Sequence, residues 1–306
     1  MHRRDLLKYL AGTLILTGCK KMNLGTGIGV WGKVTGGTSR PAICDTLIPE
    51  SRTWLNYVVA NYGYPGDTVV NNFAALIKGL RDCGSFFRTD GAWFLAAPDT
   101  NMAYINLINP GANTATVAIA GGTFTPNRGY NGNAVGVLRT NLFLSDCTYY
   151  TTNQMSFRVY YRTNRLADQW VMGVYKDVAA PKYYMGINPR GGAGNLNTYK
   201  GTALPEATTN ADSRGYYAIG RKGSGANDGL KYRNGATMIG VSSGASPAAL
   251  PAIDPAIGGW HNESGFLPQD NGEIAAVLYG DLLTENEAYA AYIAVQAYMT
   301  AIGANV

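Results

Sequence analysis

From Thr114 to Gly280, apolar and polar side chains alternate in short runs bounded by Gly, Asn, Pro or Asp. The clearest runs are TATVAIAGGTFT, MSFRVYYRT, QWVMGVYK, KYYMGINP, GYYAIGRK, LKYRNGATMIGV and GEIAAVLYG. A period of two belongs to strands, which send successive side chains to opposite faces. Arg233-Asn234-Gly235 and Asp270-Asn271-Gly272 each contain Asn-Gly, the pair suited to a type I′ turn, so both predict hairpins. Many short strands at this spacing predict an antiparallel sandwich rather than a parallel sheet with crossover helices. No repeat of fixed length is visible.

The period changes on either side of this region. SRTWLNYVVANYG, from Ser51, predicts a helix with Trp54, Tyr57, Val58 and Tyr62 near one side. In DTVVNNFAALIKGLRDCG, Phe73, Leu76, Ile77 and Leu80 follow the helical i, i+3, i+4, i+7 rule. Asp67 is placed to cap that helix and Gly84 to end it. AWFLAAPDTNMAYINLINPG is apolar enough to be buried and closes at Pro110-Gly111. At the far end, Thr284-Glu285-Asn286-Glu287 reads as a capping box, and Gly303 is placed as the stop. The stripe predicted for that helix runs through Tyr289, Tyr292, Ile293, Gln296 and Met299/Thr300. Asn23 to Pro41 is rich in Gly and Thr and has neither period, which suits an extended arm. The expected organisation is a leader and arm over 1–50, a helical unit over 51–110, and a sandwich with its terminal helix over 111–306.

Composition sharpens this picture. At 306 residues and 46% hydrophobic, the chain can bury a sizeable core. Only 15% of residues are charged, so Asn, Thr, Ser and Tyr must supply much of the polar surface. Such a surface suits hydrogen bonding to sugars or to other subunits. The net charge is +5, but Arg3, Arg4, Lys8, Lys20 and Lys21 against Asp5 place +4 of it in the first 21 residues. The remainder carries about +1 and has no basic stripe, which argues against nucleic acid as a partner.

The leader itself has two readings. Arg3-Arg4-Asp5-Leu6-Leu7-Lys8 resembles a twin-arginine export signal, and Leu16-Thr17-Gly18-Cys19 a lipoprotein processing site. The apolar run between them is too short to span a bilayer and fits a signal h-region. Either Cys19 accepts lipid, making the membrane a partner, or the segment is retained and used in assembly.

Catalytic motifs are scarce. Cys19, Cys44, Cys83 and Cys147 form no CxxC pair, and they read as buried or incidental thiols apart from Cys19. His261 in WHNESG is the only histidine besides His2, too few for a zinc site. Combined with Ser264 and a distant aspartate it could form a hydrolytic triad, but no nucleophile elbow accompanies it, and a surface loop is expected. GYYAIGRKGSGANDG lacks the Gly-Lys-Ser/Thr of a phosphate loop. The glutamates are scattered, without the paired spacing that glycoside cleavage uses, and no enzymatic activity is expected.

The 21 tyrosines include four adjacent pairs, at 149–150, 160–161, 183–184 and 216–217. If each pair lies in a strand, one ring faces the core and its neighbour faces outward. An outward ring can stack on a sugar, or it can pack beneath the terminal helix or another subunit. Candidate ligand contacts are Tyr161, Tyr184 and Tyr217, with Arg221, Asn227 and Asp228 of the glycine-rich loop, and Trp260. No cofactor is expected; calcium near SGANDG would have only Asp228 as an acidic ligand.

GTFTPNRGYNGNA, NQMSFRVYYRTN, GYYAIGRKGSG, LKYRNGAT and the closing GEIAAVLYGDLLTENEAYAAYIAVQAYMTAIGA, in that order, resemble concanavalin A-like, laminin-G-type jelly-roll proteins. More narrowly, they resemble a group from tailed bacteriophages and prophages, over about residues 51–306. The resemblance implies a two-sheet sandwich on the virion surface, as a fibre, spike or decoration protein serving adhesion or glycan binding. Its partners would be other virion subunits or copies of itself, and a cell-surface glycan. The leader at 1–23 departs from that group. The alternatives are an exported lipoprotein with a glycan-binding domain and, third, a carbohydrate-active enzyme.

Overall fold

A computed structural model of the chain describes residues 46–177, 182–201, 206–238, 244 and 246–306. The leader with Cys19, the arm to Pro41 and Cys44 lie outside the described residues. The chain begins with helices α1 (Pro49–Tyr62) and α2 (Asp67–Asp82), then β1 (Thr89–Trp93) and a single turn, α3 (Thr100–Ala103). Next come β2 (Thr116–Ile119), β3 (Thr123–Thr125), β4 (Gly129–Asn131), β5 (Val137–Arg139), β6 (Gln154–Tyr161), β7 (Met172–Lys176) and β8 (Tyr183–Asn188). After β9 (Asn195–Lys200), β10 (Glu206–Thr209), β11 (Gly215–Lys222), β12 (Gly229–Arg233) and β13 (Ala236–Thr237), the chain makes β14 (Ala256–Ile257), β15 (Gly259–Asn262) and β16 (Gly265–Pro268). It closes with β17 (Glu273–Gly280) and α4 (Glu285–Ala301).

The strands form two sheets, and the expected mainly-β antiparallel sandwich is present. An inner sheet runs β13-β12-β11-β6-β17-β4-β3, with β1 also paired to β17. An outer sheet runs β10-β9-β8-β7-β14-β5-β2, with the β15–β16 hairpin attached through β7. Among the described residues every pairing is antiparallel except the bridge between His261 and Val174.

Two cores share the inner sheet. Phe157, Val159 and Ile219 on one face meet Val174, Met185 and Leu196 of the outer sheet. On its other face Tyr160, Ala218 and Leu278 meet Leu76, Ile77 and Tyr298 of the helices. The order of layers is therefore helices, inner sheet, outer sheet. Burial on both faces explains GEIAAVLYG, whose residues from Ile274 to Gly280 are all buried.

Several local expectations change. Residues 89–93 are a strand, although 51–110 reads as helical. An apolar run buried on all sides looks the same as helix or strand by periodicity, and here it pairs with β17, Trp93 opposite Val277. The N-cap of α2 is Gly66; Asp67 is its first helical residue, and its carboxylate accepts the Tyr64 hydroxyl instead. The capping box of α4 is present, yet its buried face is Ala288, Ala291, Val295, Tyr298 and Met299, and Tyr289 is exposed. Small residues set that rotation: a Cβ on Gly79 of α2 would stand 2.7 Å from the Ala294 Cβ, so the two helices cross nearly backbone to backbone.

Asn234-Gly235 does turn β12 into β13, with φ of 49° and 77°. The Asn234 Oδ1 also accepts the Tyr216 backbone N–H at 2.8 Å. Asn234→Ala is expected to cost about 1–2 kcal/mol, through left-handed strain and the lost bond, measurable by urea denaturation. Asp270-Asn271-Gly272 makes no hairpin; it carries the chain from β16 in the outer sheet to β17 in the inner one.

Candidate functional site

The outward face of the outer sheet gathers five aromatic rings. In β7 and β8 the alternation sends Val174 and Met185 inward and Tyr175 and Tyr184 outward, and these two tyrosines are paired across the strands. Their rings stack at 5.5 Å and 6°. One step along, Gly173 pairs with Gly186, and Gly186 with Tyr199 of β9. The glycines clear a floor for Trp260 of β15. A Cβ on Gly173 would lie 2.3 Å from the Trp260 ring, and one on Gly186 would lie 2.5 Å from it. Trp260 contacts Trp170 at 4.8 Å, Tyr175 at 5.5 Å and Tyr199 at 5.9 Å, and Tyr199 contacts Tyr184 at 5.3 Å. Trp260 is buried at the centre, while Trp170, Tyr175, Tyr184 and Tyr199 are half-buried around it.

Polar groups border the rings. Asn262 Nδ2 donates to the Tyr175 hydroxyl. Burial, and then a hydrogen bond to the Asp177 carboxylate, push the Tyr184 phenol above its ordinary value. Asp177 itself is held low, first by Lys182 and then by Tyr184. At the next step along the strands Asn188 pairs with Asn197. Asp168 approaches that end, its Oδ1 accepting the Gly192 N–H at 2.8 Å. A Cβ on Gly191 would sit 2.2 Å from Asn197 Nδ2 and 2.6 Å from Asp168 Oδ1, so glycine there lets amide and carboxylate converge. Aromatic faces edged by amides and carboxylates offer apolar contact together with donors and acceptors for hydroxyl groups.

Of the residues singled out from sequence, only Tyr184 and Trp260 belong to this cluster. Tyr161 and Tyr217 are corrections: both rings are fully buried between the sheets. The Tyr161 hydroxyl donates to Asp270 Oδ1 at 2.9 Å, and that of Tyr217 to the Asp212 carbonyl at 3.0 Å. Their neighbours Tyr160 and Tyr216 are buried too, beneath the helices, because the inner sheet has no open face. Arg221 is another correction: it is buried and donates to the carbonyls of Gly225 and Gly244 at 2.8 and 2.7 Å. Asn227 is exposed in the loop between β11 and β12 of the inner sheet and is not among the clustered rings. Asp228 is half-buried there and accepts the Gly225 N–H, which shapes the turn. Among the described residues no group of three His, Cys, Asp or Glu side chains is placed to hold a metal. No described helix is long and apolar enough to cross a membrane.

An aspartate does hold His261, namely Asp254. The imidazole Nδ1 lies 3.1 Å from Asp254 Oδ1 and 2.7 Å from its carbonyl oxygen, and Phe266 stacks on the ring at 3.8 Å. Arg139 clasps the same carboxylate with two bonds of 3.1 and 3.2 Å. Asp254 therefore lies below the usual carboxylate range, because hydrogen bonds from His261 and Arg139 outweigh its burial. Ser264 is used elsewhere: its N–H donates to Asn262 Oδ1 in the hairpin turn.

Trp170, Tyr175 and Tyr199 escape sequence reasoning because no adjacent pair marks them. The available signal was the glycine inside VMGVYK and inside YYMGIN, since glycine within a strand marks close approach of another group.

No protein-family model matches the chain, and no curated protein sequence does. Among solved structures it is similar to a mutant Trypanosoma rangeli sialidase displaying trans-sialidase activity, with TM-score 0.49 and 11% identity over 75% of this chain and 39% of that one. It is also similar to domain 4 of AbnA, a GH43 extracellular arabinanase from Geobacillus stearothermophilus, in complex with arabinotriose. There the TM-score is 0.44 at 13% identity, covering 66% of this chain and 97% of that one. A third is the Ruminococcus gnavus IT-sialidase CBM40, with TM-score 0.36 and 14% identity over 45% of this chain and 82% of that one. The chain spans about two fifths of the length of the sialidases it matches. Sialidase and arabinanase are names of enzymes, so the expectation that this chain is not an enzyme is corrected and goes no further. At these identities and TM-scores no residue role passes from those proteins to this one.

Proposed function

We propose that the chain is a carbohydrate-active protein and that the ring cluster of the outer sheet is the surface on which it binds glycan. The observation that carries this reading is the pair of facing glycines, Gly173 and Gly186, which let Trp260 lie flat among four half-buried rings. Such a floor has little packing value of its own, because it faces away from both cores. Half-buried rings bordered by Asn197, Asn262 and Asp168 match a sugar, which has apolar C–H faces and a rim of hydroxyls. The arabinotriose held by the arabinanase domain supports a neutral oligosaccharide as the first ligand to try.

Titration of the chain with arabinotriose and with longer arabinan, followed by tryptophan fluorescence, tests the reading. Saturable quenching is expected. Tyr184→Ala and Tyr199→Ala should each weaken binding about tenfold, the scale of one lost ring contact. Unchanged affinity in both variants would remove the cluster from the function. Product analysis on the same glycans asks separately whether a bond is cleaved. A glycan-binding face serves either setting suggested by the sequence, a virion surface or a lipid anchor at Cys19.

A further inference from the structure

Where β9 and β10 meet β11 and β12, ionic side chains lie inside the sandwich. Lys200, Lys231 and Arg221 are at most 1% exposed, and Glu206 is 8% exposed. Lys200 Nζ is in direct contact with Glu206 Oε2. Lys231 Nζ stands 3.3 Å from the other oxygen, Oε1, and is steadied by the Thr208 hydroxyl at 2.8 Å. Two lysines thus face one carboxylate in a buried site, with the Arg221 charge near Lys200. A buried ion pair carries a desolvation cost that its mutual attraction only partly offsets. Here the like charges add to that cost.

We propose that Lys200 and Glu206 condense into an intramolecular isopeptide bond that ties β9 to β10. The ammonium of Lys200 passes a proton to the Glu206 carboxylate, leaving a free amine and a carboxylic acid. The amine nitrogen attacks Glu206 Cδ, the Cδ–O bond to the protonated oxygen breaks, and one water leaves. Lysine ammonium plus carboxylate become amide plus water, with no oxidant, reductant or change of net charge. Lys231 is placed to polarise the carboxyl through Oε1, the oxygen kept in the amide, and the second Lys200 Nζ proton leaves with the hydroxyl as water. Burial, and then Lys231 and Arg221 nearby, bring the Lys200 ammonium down to about 7, while its contact with Glu206 acts the other way. The free amine needed for attack is thereby within reach at neutral pH. Exclusion of water removes the competing solvation of both partners.

Tryptic digestion of the denatured full chain tests this without reference to glycan binding. A bonded Lys200 resists trypsin, so Gly191–Arg214 is expected as one uncut peptide, lighter than its sequence by one water. In Glu206→Ala the same region should yield Gly191–Lys200 and Gly201–Arg214 at sequence mass. Lys231→Met should leave a measurable fraction of the wild-type chain's crosslink unformed. Cleavage after Lys200 in the wild type, or an uncut peptide of full sequence mass, overturns the proposal. The wild-type digest is decisive even if a variant fails to fold.

Discussion

Gly173→Ala is expected to weaken the proposed glycan binding about thirtyfold or more while leaving the chain folded. The new methyl would stand within 2.3–2.8 Å of three Trp260 ring atoms, so the indole must leave its bed. Trp260 touches three of the other four rings, and its departure undoes the cluster as a unit. Loss of a central aromatic anchor costs about 2 kcal/mol or more, roughly thirtyfold in Kd. The sandwich core lies on the opposite side of β7, at Met172 and Val174, and is not touched. Near-UV circular dichroism should therefore change while the urea midpoint moves little. Gly186→Ala should behave alike, since its methyl meets Trp260 at 2.5 Å and Trp170 at 3.1 Å. If Gly173→Ala binds arabinan as well as the parent, Trp260 is not the floor of the site.

Asp270→Ala should be the most destabilising single change at the crossover from the outer to the inner sheet. The Asp270 carboxylate is fully buried, accepts the Tyr161 hydroxyl and the Gly272 N–H, and pairs with Arg165. Its removal leaves a guanidinium and a phenol without partners, at a cost of about 3–5 kcal/mol. Burial is also the main influence on its proton affinity. It raises the carboxyl from 3.8 to about 6, against the opposing pull of Arg165 and Tyr161. The folded chain thus holds this proton where the unfolded chain has released it. The stability this group contributes is fully present below about pH 4 and lost as pH rises through about 6. That change amounts to ~3 kcal/mol at most. Urea denaturation between pH 4 and pH 7 should show a shallower decline in Asp270→Asn than in the parent. Equal slopes would mean that Asp270 does not titrate in this range.

The strands could be read from sequence wherever one side chain in two was apolar, as in GYYAIGRK, which is β11 from end to end. The hidden feature was a third layer. Alternation tells which residues share a face but not what covers that face. Once α1, α2 and α4 pack on the inner sheet, Tyr160 and Tyr161 are both interior, and a paired tyrosine ceases to mark a surface. Tyr184 belongs to the sheet without such a cover and is half-buried. The rotation of α4 failed for a related reason. Its contact with the neighbouring layers includes Ala288, Ala291 and Ala294, which carry little hydrophobic signal yet allow the closest approach. Asp270-Asn271-Gly272 had turn chemistry, but its aspartate is spent on Arg165 and Tyr161, and the segment changes sheet instead of reversing within one.

Enclosure of the inner sheet between helices and its sister sheet has an evolutionary consequence. Apart from Gln154, Lys222 and Glu273 at the strand ends, every side chain along β6, β11 and β17 enters a packed interior, so substitutions there disturb a core. The exterior of β7, β8 and β9 is freed from that duty. If the ring face binds glycan as proposed, new ligand preferences can be sampled by exchanging rings at 170, 175, 184 and 199 without renegotiating the architecture beneath them.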